Sequence, residues 1–136
     1  MAAFNEPAGN LPDRDEGAAV LIVDDSKANR TLLRLLLEQA GYDVVEVVDG
    51  AAALDGVEAW RPRLVLMDIV MPKMDGIEAT KRLRHRYDAM TLPIVVMSSN
   101  HGSDVLAAVR AAGGNEFLPK PISRTKLQAI IARYLA

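Results

Sequence analysis

Short apolar runs alternate with segments of helical periodicity along almost the whole chain, and this alternation restricts the fold more than any other feature. The apolar runs that predict strands cover residues 18–23, 43–48, 63–68, 93–98 and 115–119. The helical segments begin near Ser26, Asp49, Asp75, Ser103 and Ser123. Most of these starts carry a Ser or Asp that can cap a first helical turn. Strict alternation of strand and helix predicts an α/β fold, with a doubly wound five-stranded parallel sheet covered by helices on both faces.

The length of 136 residues fits one domain. The first 17 residues, MAAFNEPAGNLPDRDEG, are rich in Pro, Gly, Asn and acidic residues. They lack the basic leader and apolar core of a signal peptide. We therefore expect residues 1–17 to form a flexible tail and residues 18–136 to form the domain.

The charge balance and the absence of cysteine exclude several classes of function. Lys and Arg number 16 against 18 Asp and Glu, and the isoelectric point is near 5.7. This chain has no cationic excess to attract a phosphate backbone, so we expect no direct nucleic-acid partner. No apolar stretch approaches the roughly 18 residues that a membrane span requires, so no membrane partner is expected either. The chain has no cysteine, which is compatible with the reducing cytoplasm, where we expect the protein to act.

Polar side chains follow or end four of the five predicted strands. They are Asp24 and Asp25 after the first strand, Asp68 at the end of the third, Ser98 at the end of the fourth and Lys120 after the fifth. In a parallel sheet the carboxyl ends of the strands face the same crevice, where ligands bind. Three carboxylates, a hydroxyl and an ammonium group are therefore expected to converge there.

Three carboxylates in one crevice repel one another unless a cation joins them. All-oxygen ligands favour a hard ion, and a small cluster that leaves room for water and phosphate suits Mg²⁺ better than Ca²⁺. With positive charge from the metal and Lys120, a free oxygen of Asp68 can attack phosphorus and form an acyl phosphate. Each residue taken singly also has a purely structural interpretation. Asp24 or Asp25 could cap a helix, Lys120 could be a solvated surface lysine, and Ser98 could form a hydrogen bond to nearby backbone.

Four sequence blocks resemble the signature motifs of receiver domains from two-component response regulators. The blocks are LIVDDS, LVLMDIVMPKMDG, PIVVMSS and FLPKPI, and the resemblance extends over residues 18–136. It implies a flavodoxin-like (βα)5 fold with the strand order 2-1-3-4-5.

The resemblance also implies roles for the acidic residues. Asp68 matches the phosphoacceptor. Asp25 matches the direct Mg²⁺ ligand, and Asp24 matches the neighbour that acts through water. The backbone carbonyl of Val70 would be the remaining protein ligand.

Further roles follow from the same resemblance at the other strand ends. Ser98 takes the place of the switch hydroxyl, where Thr is commoner, and Phe117 takes the place of the switch aromatic residue, where Tyr is common. Lys120 matches the invariant lysine, and a cis peptide bond is implied between Lys120 and Pro121. Ser keeps the hydroxyl and Phe keeps the ring, so both departures retain the groups that the switch uses.

The expected function is a phosphorylation-dependent signalling switch in a phosphorelay. A histidine kinase or histidine phosphotransferase would donate the phosphoryl group to Asp68, and the surface of the fourth helix, fifth strand and fifth helix would change. Such a chain is an autocatalytic phosphoacceptor and not a turnover enzyme. We expect a single-domain regulator. The alternatives are a segment of a hybrid kinase or larger regulator, and a receiver-like module that is never phosphorylated.

The first helix has more apolar surface than one core contact requires. Its core-facing arc is predicted to contain Leu33, Leu36, Leu37 and Ala40. A second stripe on the other side contains Ala28, Leu32 and Leu35. A stray exposed leucine is common, but we expect this stripe to dock the helices of the phosphodonor.

Two other classes of protein fit the pattern less well. Phosphatases of the haloacid-dehalogenase type need Asp-x-Asp after the first strand, where this chain reads DDSKAN. A flavodoxin must bind phosphate in its first loop, and two adjacent carboxylates would repel that ligand.

Overall fold

The computed structural model describes residues 19–135, so the predicted tail at residues 1–17 lies outside the described part of the chain. The strands are β1 (Val20–Val23), β2 (Val44–Val47), β3 (Leu64–Asp68), β4 (Ile94–Ser98) and β5 (Glu116–Pro119). The helices are α1 (Lys27–Gln39), α2 (Gly50–Trp60), α3 (Gly76–Arg84), α4 (Ser103–Ala112) and α5 (Arg124–Tyr134). All five predicted strands and all five helices are therefore present.

The five strands form one parallel sheet in the order β2-β1-β3-β4-β5. This arrangement confirms the doubly wound, flavodoxin-like fold and the strand order 2-1-3-4-5. In the centre of the sheet, Val23 of β1 lies beside Met67 of β3. The residues that follow these two positions therefore emerge next to each other at the carboxyl end of the sheet.

Each face of the sheet has its own apolar core, because successive side chains of a strand point to opposite faces. Leu21 and Val23 pack towards α2, α3 and α4, whereas Val20 and Ile22 pack towards α1 and α5. All four side chains are fully buried. Burying one such side chain stabilises the fold by roughly 1.5–3 kcal/mol. The continuous apolar runs thus reflect a sheet that is covered on both sides.

Four of the five helices begin at a capping side chain. Ser26, Asp49, Asp75 and Ser123 each accept a hydrogen bond from a backbone N–H in the first turn. The fourth helix differs, since its first residue is Ser103 and Gly102 occupies the cap position without a side-chain hydrogen bond.

The core-facing arc of α1 is shorter than the sequence predicts. Leu33 and Leu37 are fully buried and Leu36 is half-buried, but Ala40 is exposed. The prediction for Ala40 was wrong because α1 ends at Gln39 and Ala40 is its cap residue. Gly41 follows with φ +95°, a left-handed conformation that glycine adopts without steric cost.

None of the described helices has the length and apolar character needed to cross a membrane.

Candidate functional site

Acidic residues from two neighbouring strands meet at the carboxyl end of the sheet. Asp24 and Asp25 follow β1, and Asp68 is the last residue of β3. Each of the three offers a carboxylate oxygen, and these oxygens all lie within 4.8 Å of one another. Asp24 and Asp68 are buried, whereas Asp25 is exposed. The cluster is therefore open to solvent on the side of Asp25.

Lys120 follows the edge strand β5 and extends to this cluster. Its Nζ atom lies 3.0 Å from Oδ2 of Asp24 and 3.0 Å from Oδ1 of Asp68. Burial acts to lower the pKa of Lys120, but the hydrogen bonds to Asp24 and Asp68 outweigh it and raise the pKa. The lysine thus keeps its positive charge between two carboxylates. The peptide bond between Lys120 and Pro121 is cis.

Opposing influences act on the pKa of Asp68. Burial is the largest influence and raises the pKa of Asp68, while the hydrogen bond from Lys120 lowers it. The negative charges of Asp24 and Asp25 act in the same direction as burial, so the net pKa is raised. A second cation beside these carboxylates would favour the ionised form.

An ion pair that was not predicted from the sequence contacts the backbone at Asp24. Arg30 of α1 donates from Nη1 to the carbonyl oxygen of Asp24 at 2.9 Å and from Nε to Glu46 of β2 at 3.0 Å. A side-chain oxygen of Asp24 also accepts from the backbone N–H of Ser26 at 2.8 Å. The only sequence signal for this clamp is Glu46 itself, a charged residue inside an otherwise apolar strand.

The loop after β3 returns very close to Asp68, and Gly76 makes this return possible. The N–H of Gly76 donates to the carbonyl of Ile69 at 2.9 Å. A Cβ atom on Gly76 would lie 2.0 Å from the carbonyl oxygen of Asp68, so a larger residue would push the loop away. Val70 lies in this loop with 75% of its surface exposed.

Ser98 and Phe117 lie on the neighbouring strands β4 and β5. Ser98 is buried, and its hydroxyl accepts from the backbone N–H of Asn100 at 3.0 Å. The carbonyl of Ser98 accepts from the backbone N–H of Lys120 at 2.9 Å, which links the two strand ends. Phe117 is half-buried and packs edge-on against the ring of His101, with centroids 5.9 Å apart.

The second stripe of α1 is on the outside of the molecule. Leu35 is 51% exposed and Leu32 is 40% exposed, and Ala28 is exposed as well. Ala28 lies three residues after Asp25, so the stripe begins beside the acidic cluster.

The chemistry of the donor set fits a hard divalent cation. The three carboxylates lie close enough to share one ion, and no His or Cys is among them. Carboxylate oxygens are the ligands that Mg²⁺ prefers in proteins. A doubly wound α/β fold with such a cluster at its strand ends, and with a lysine beside it, is typical of the class of α/β proteins that bind ligands at the carboxyl ends of their strands.

Comparisons with known proteins narrow this class to one family. The family model for the response regulator receiver domain matches residues 20–132. The chain therefore belongs to the receiver domain family of two-component signalling systems.

Two curated relatives show the settings in which such domains occur. The CAI-1 autoinducer sensor kinase/phosphatase CqsS of Vibrio cholerae is 38% identical over 117 residues, which are 85% of this chain and 17% of that protein. Protein PilG of Pseudomonas aeruginosa is 29% identical over 125 residues, which are 92% of this chain and 93% of that protein. The chain thus spans a small part of the first relative and nearly all of the second.

A solved structure with the same fold is the receiver domain of sensor histidine kinase PA1611 from Pseudomonas aeruginosa. The two chains are 33% identical and superpose with a TM-score of 0.78, covering 87% of this chain and 97% of that one. That receiver domain was solved with a magnesium ion coordinated in its active site cleft.

Proposed function

We propose that this receiver domain accepts a phosphoryl group on Asp68 from a phosphohistidine of a histidine kinase or histidine phosphotransferase. The observation that carries the proposal is the convergence of Asp24, Asp25 and Lys120 on the buried Asp68. Lys120 lies 3.0 Å from an oxygen of Asp68, so a cationic partner is already in place for a phosphoryl oxygen.

In the proposed reaction, a carboxylate oxygen of Asp68 attacks the phosphorus atom and forms a P–O bond. The P–N bond to the donor histidine breaks, and its electron pair stays on the imidazole nitrogen. Lys120 then pairs with one phosphoryl oxygen, and the hydroxyl of Ser98 donates to another. Positioning and charge neutralisation account for most of the help that a protein gives to such a transfer.

We propose that Asp24, Asp25, Asp68 and the backbone carbonyl of Val70 hold Mg²⁺ during this reaction. Bound there, the ion would neutralise negative charge on the carboxylates and on the incoming phosphoryl group. The raised pKa of Asp68 is consistent with this requirement, because the ionised nucleophile needs positive charge nearby.

The phosphorylated form would differ at the surface of α4, β5 and α5. Ser98 would move towards the phosphoryl group, and Phe117 would turn into the space that it leaves. Reversing a 1:99 equilibrium requires about 5.5 kcal/mol of differential stabilisation. Two to four charge-assisted hydrogen bonds of roughly 1.5–3 kcal/mol each supply this amount.

The chain keeps the phosphoryl group on its own side chain, so we class it as an autocatalytic phosphoacceptor and not as a turnover enzyme. We propose that this phosphoryl transfer takes place in the cytoplasm. The chain has no cysteine and forms no disulfide bond, which is compatible with the reducing conditions there.

Two arrangements of the whole protein are supported by different relatives. The coverage of 93% of PilG favours a single-domain regulator, and the coverage of 17% of CqsS favours a segment of a hybrid kinase. We propose the first. An immunoblot of the native cells against this domain distinguishes them: a band near 14.8 kDa supports the single-domain form, and a much larger band contradicts it.

Radiolabelled acetyl phosphate tests the phosphoacceptor directly. We expect the chain to become labelled in the presence of Mg²⁺ and Asp68→Asn to lose the label completely, because an amide oxygen is a poor nucleophile. Asp104→Asn, at an exposed position in the first turn of α4, is the matched control and should label normally.

Label retained on Asp68→Asn would remove Asp68 from this role. A chain that never labels, although it is folded and supplied with Mg²⁺, would instead support the receiver-like module that acts without phosphorylation.

A further inference from the structure

A groove of about 590 Å³ lies at the amino end of the sheet, opposite to Asp68. Its walls come from α2, the segment between α2 and β3, the segment between α3 and β4, and the end of α5. The proposed phosphoryl transfer makes no use of this groove.

The groove combines an apolar floor with positive charge. Val57 and Leu92 line the groove but are almost fully buried, so its accessible apolar surface comes from side chains such as Tyr87, which is half-buried, and Met90, which is 93% exposed. Such an exposed apolar surface beside fixed charges is typical of an interaction site.

The charge comes from three arginines, Arg61, Arg63 and Arg86. Arg86 pairs with Glu58 at 3.3 Å. Within residues 19–135, neither Arg61 nor Arg63 forms a salt bridge with a carboxylate. The groove is therefore suited to an acidic segment that also carries apolar side chains.

The segment that precedes β1 has this composition. Residues 1–18 contain the acidic residues Glu6, Asp13, Asp15 and Glu16, one basic residue, Arg14, and the large apolar residues Phe4 and Leu11. Its charge is thus opposite to that of the groove.

The segment also joins the described structure next to the groove. The carbonyl oxygen of Ala19 accepts a hydrogen bond from the backbone N–H of Arg63 at 3.0 Å, and Arg63 lines the groove. An extended chain advances about 3.3–3.6 Å per residue, so Leu11 can reach on the order of 25 Å from Ala19. A short tether also gives a high effective concentration, on the order of millimolar, so individually weak contacts are sufficient.

We propose that residues 11–16 dock in this groove within the same molecule, with Asp13, Asp15 and Glu16 facing Arg61 and Arg63. Leu11 then lies against the apolar floor. The groove is an intramolecular binding site for an acidic, partly apolar peptide, at the end of the sheet remote from phosphoryl transfer.

A spin label tests the docking in the full chain. Because the chain has no cysteine, Asn10→Cys provides one unique attachment site and leaves every acidic residue in place. We expect the nitroxide to broaden the amide NMR signals of Tyr87, Met90 and Thr91. The broadening should be lost in the Asp13→Asn/Asp15→Asn/Glu16→Gln variant and at high ionic strength, where exposed charges are screened.

Substitution of the groove arginines tests the same contacts from the other partner. Arg61→Gln/Arg63→Gln should remove the broadening, whereas Arg124→Gln/Lys126→Gln, two exposed cations in the first turn of α5, should retain it. A tether alone would bring the label near the groove in every variant. Equal broadening in the neutralised and parent chains would therefore overturn the proposal.

In the experiments above, each chain is doubly labelled, since it carries both the spin label and the NMR isotopes. A mixture of chains that carry only one of the two labels distinguishes docking within one molecule from docking between two copies. Broadening that is as strong in this mixture as in the doubly labelled chain would assign the groove to a second copy and would also overturn the proposal. Absence of broadening in the mixture, together with its presence in the doubly labelled chain, supports docking within one molecule.

Discussion

Single side chains set the electrostatics at both ends of β5. At its carboxyl end, Lys120 neutralises part of the charge of Asp24 and Asp68, each at 3.0 Å. At its amino end, Glu116 pairs with Arg133 and accepts a hydrogen bond from the hydroxyl of Tyr134 at 2.7 Å. The first group of charges belongs to the candidate site, whereas the second joins β5 to α5.

Glu116 should make stability depend on pH. Burial acts to raise its pKa, but the hydrogen bonds from Arg133 and Tyr134 outweigh burial and lower the pKa below its ordinary value of 4.5. A carboxyl group with a lowered pKa stabilises the fold above its ordinary pKa, and this contribution is lost as the pH falls through its folded pKa. We expect Glu116→Gln to cost about 1 kcal/mol of unfolding free energy at neutral pH.

Urea unfolding at several pH values measures this difference. The gap between parent and Glu116→Gln should narrow as the solution is acidified below the ordinary pKa of glutamate. A gap that stays constant across that range would show that the charge of Glu116 does not contribute.

Helix α1 has one apolar face that packs against the sheet and a second apolar stripe that is exposed. Leu33 and Leu37 are fully buried against the sheet, whereas Leu35 is 51% exposed between them in the sequence. A single core contact requires only one apolar stripe, so the exposed stripe of Ala28, Leu32 and Leu35 is available to a partner. Its position beside Asp25 matches the proposal that the helices of the phosphodonor bind there.

The docking stripe is tested by Leu35→Glu. A charge at this position should slow phosphoryl transfer from the protein donor at least tenfold, because a buried contact in the complex would contain an unpaired carboxylate. Labelling by acetyl phosphate should be unchanged, since the small donor needs no docking surface. Met90→Glu, at an exposed apolar residue near the other end of the sheet, is the matched control. Equal transfer rates for Leu35→Glu and the parent would exclude this surface.

Arg84 joins three elements through its guanidinium group. It donates to the carbonyl of Gly113 at 2.8 Å, the carbonyl of Leu92 at 2.8 Å and the side chain of Asn115 at 2.7 Å. These contacts connect the end of α3 to the segments before β4 and β5. Burial lowers the pKa of Arg84, and the nearby charge of Asp88 only partly opposes this effect.

We expect Arg84→Met to destabilise the fold by about 2–3 kcal/mol, because several partly buried acceptors lose their donor at once. Arg82→Met is the control on the same helix. It breaks only an exposed ion pair with Glu78 and should cost less than about 0.5 kcal/mol. Similar losses for the two variants in thermal unfolding would argue against a special role for Arg84.

Residues 19–135 form one parallel sheet between two apolar cores, with the charged site at one end of the sheet. The helices on both faces fix the strands, and the strands in turn fix the distances between Asp24, Asp68 and Lys120. A cation bound at the proposed site would therefore stabilise the entire domain.

Magnesium should raise the melting temperature of the chain. A ligand present at 100 times its dissociation constant stabilises the folded state by about 2.7 kcal/mol. We expect the shift in differential scanning calorimetry to be lost on chelation and strongly reduced in Asp25→Asn, and to be retained in Asp104→Asn. A melting temperature that does not respond to magnesium would contradict the proposed metal site.

The local pattern was sufficient to predict the elements and to place polar residues at the ends of the strands. Alternation of apolar runs and helical segments predicted all five strands and helices, because burial on both faces requires such runs. The position of Asp68 at the end of a strand followed from the same pattern. The strand order came instead from the resemblance to receiver domains, since periodicity does not tell which strands are neighbours.

Tertiary structure alone decided the contacts between distant segments. The clamp of Arg30 on Glu46 joins α1 to β2, and the contacts of Arg84 join α3 to residues about 30 positions away. The groove beside Arg63 likewise forms only where four segments meet. Hydrophobic periodicity identifies which face of an element is buried, whereas these contacts depend on how packed elements are positioned and oriented relative to one another.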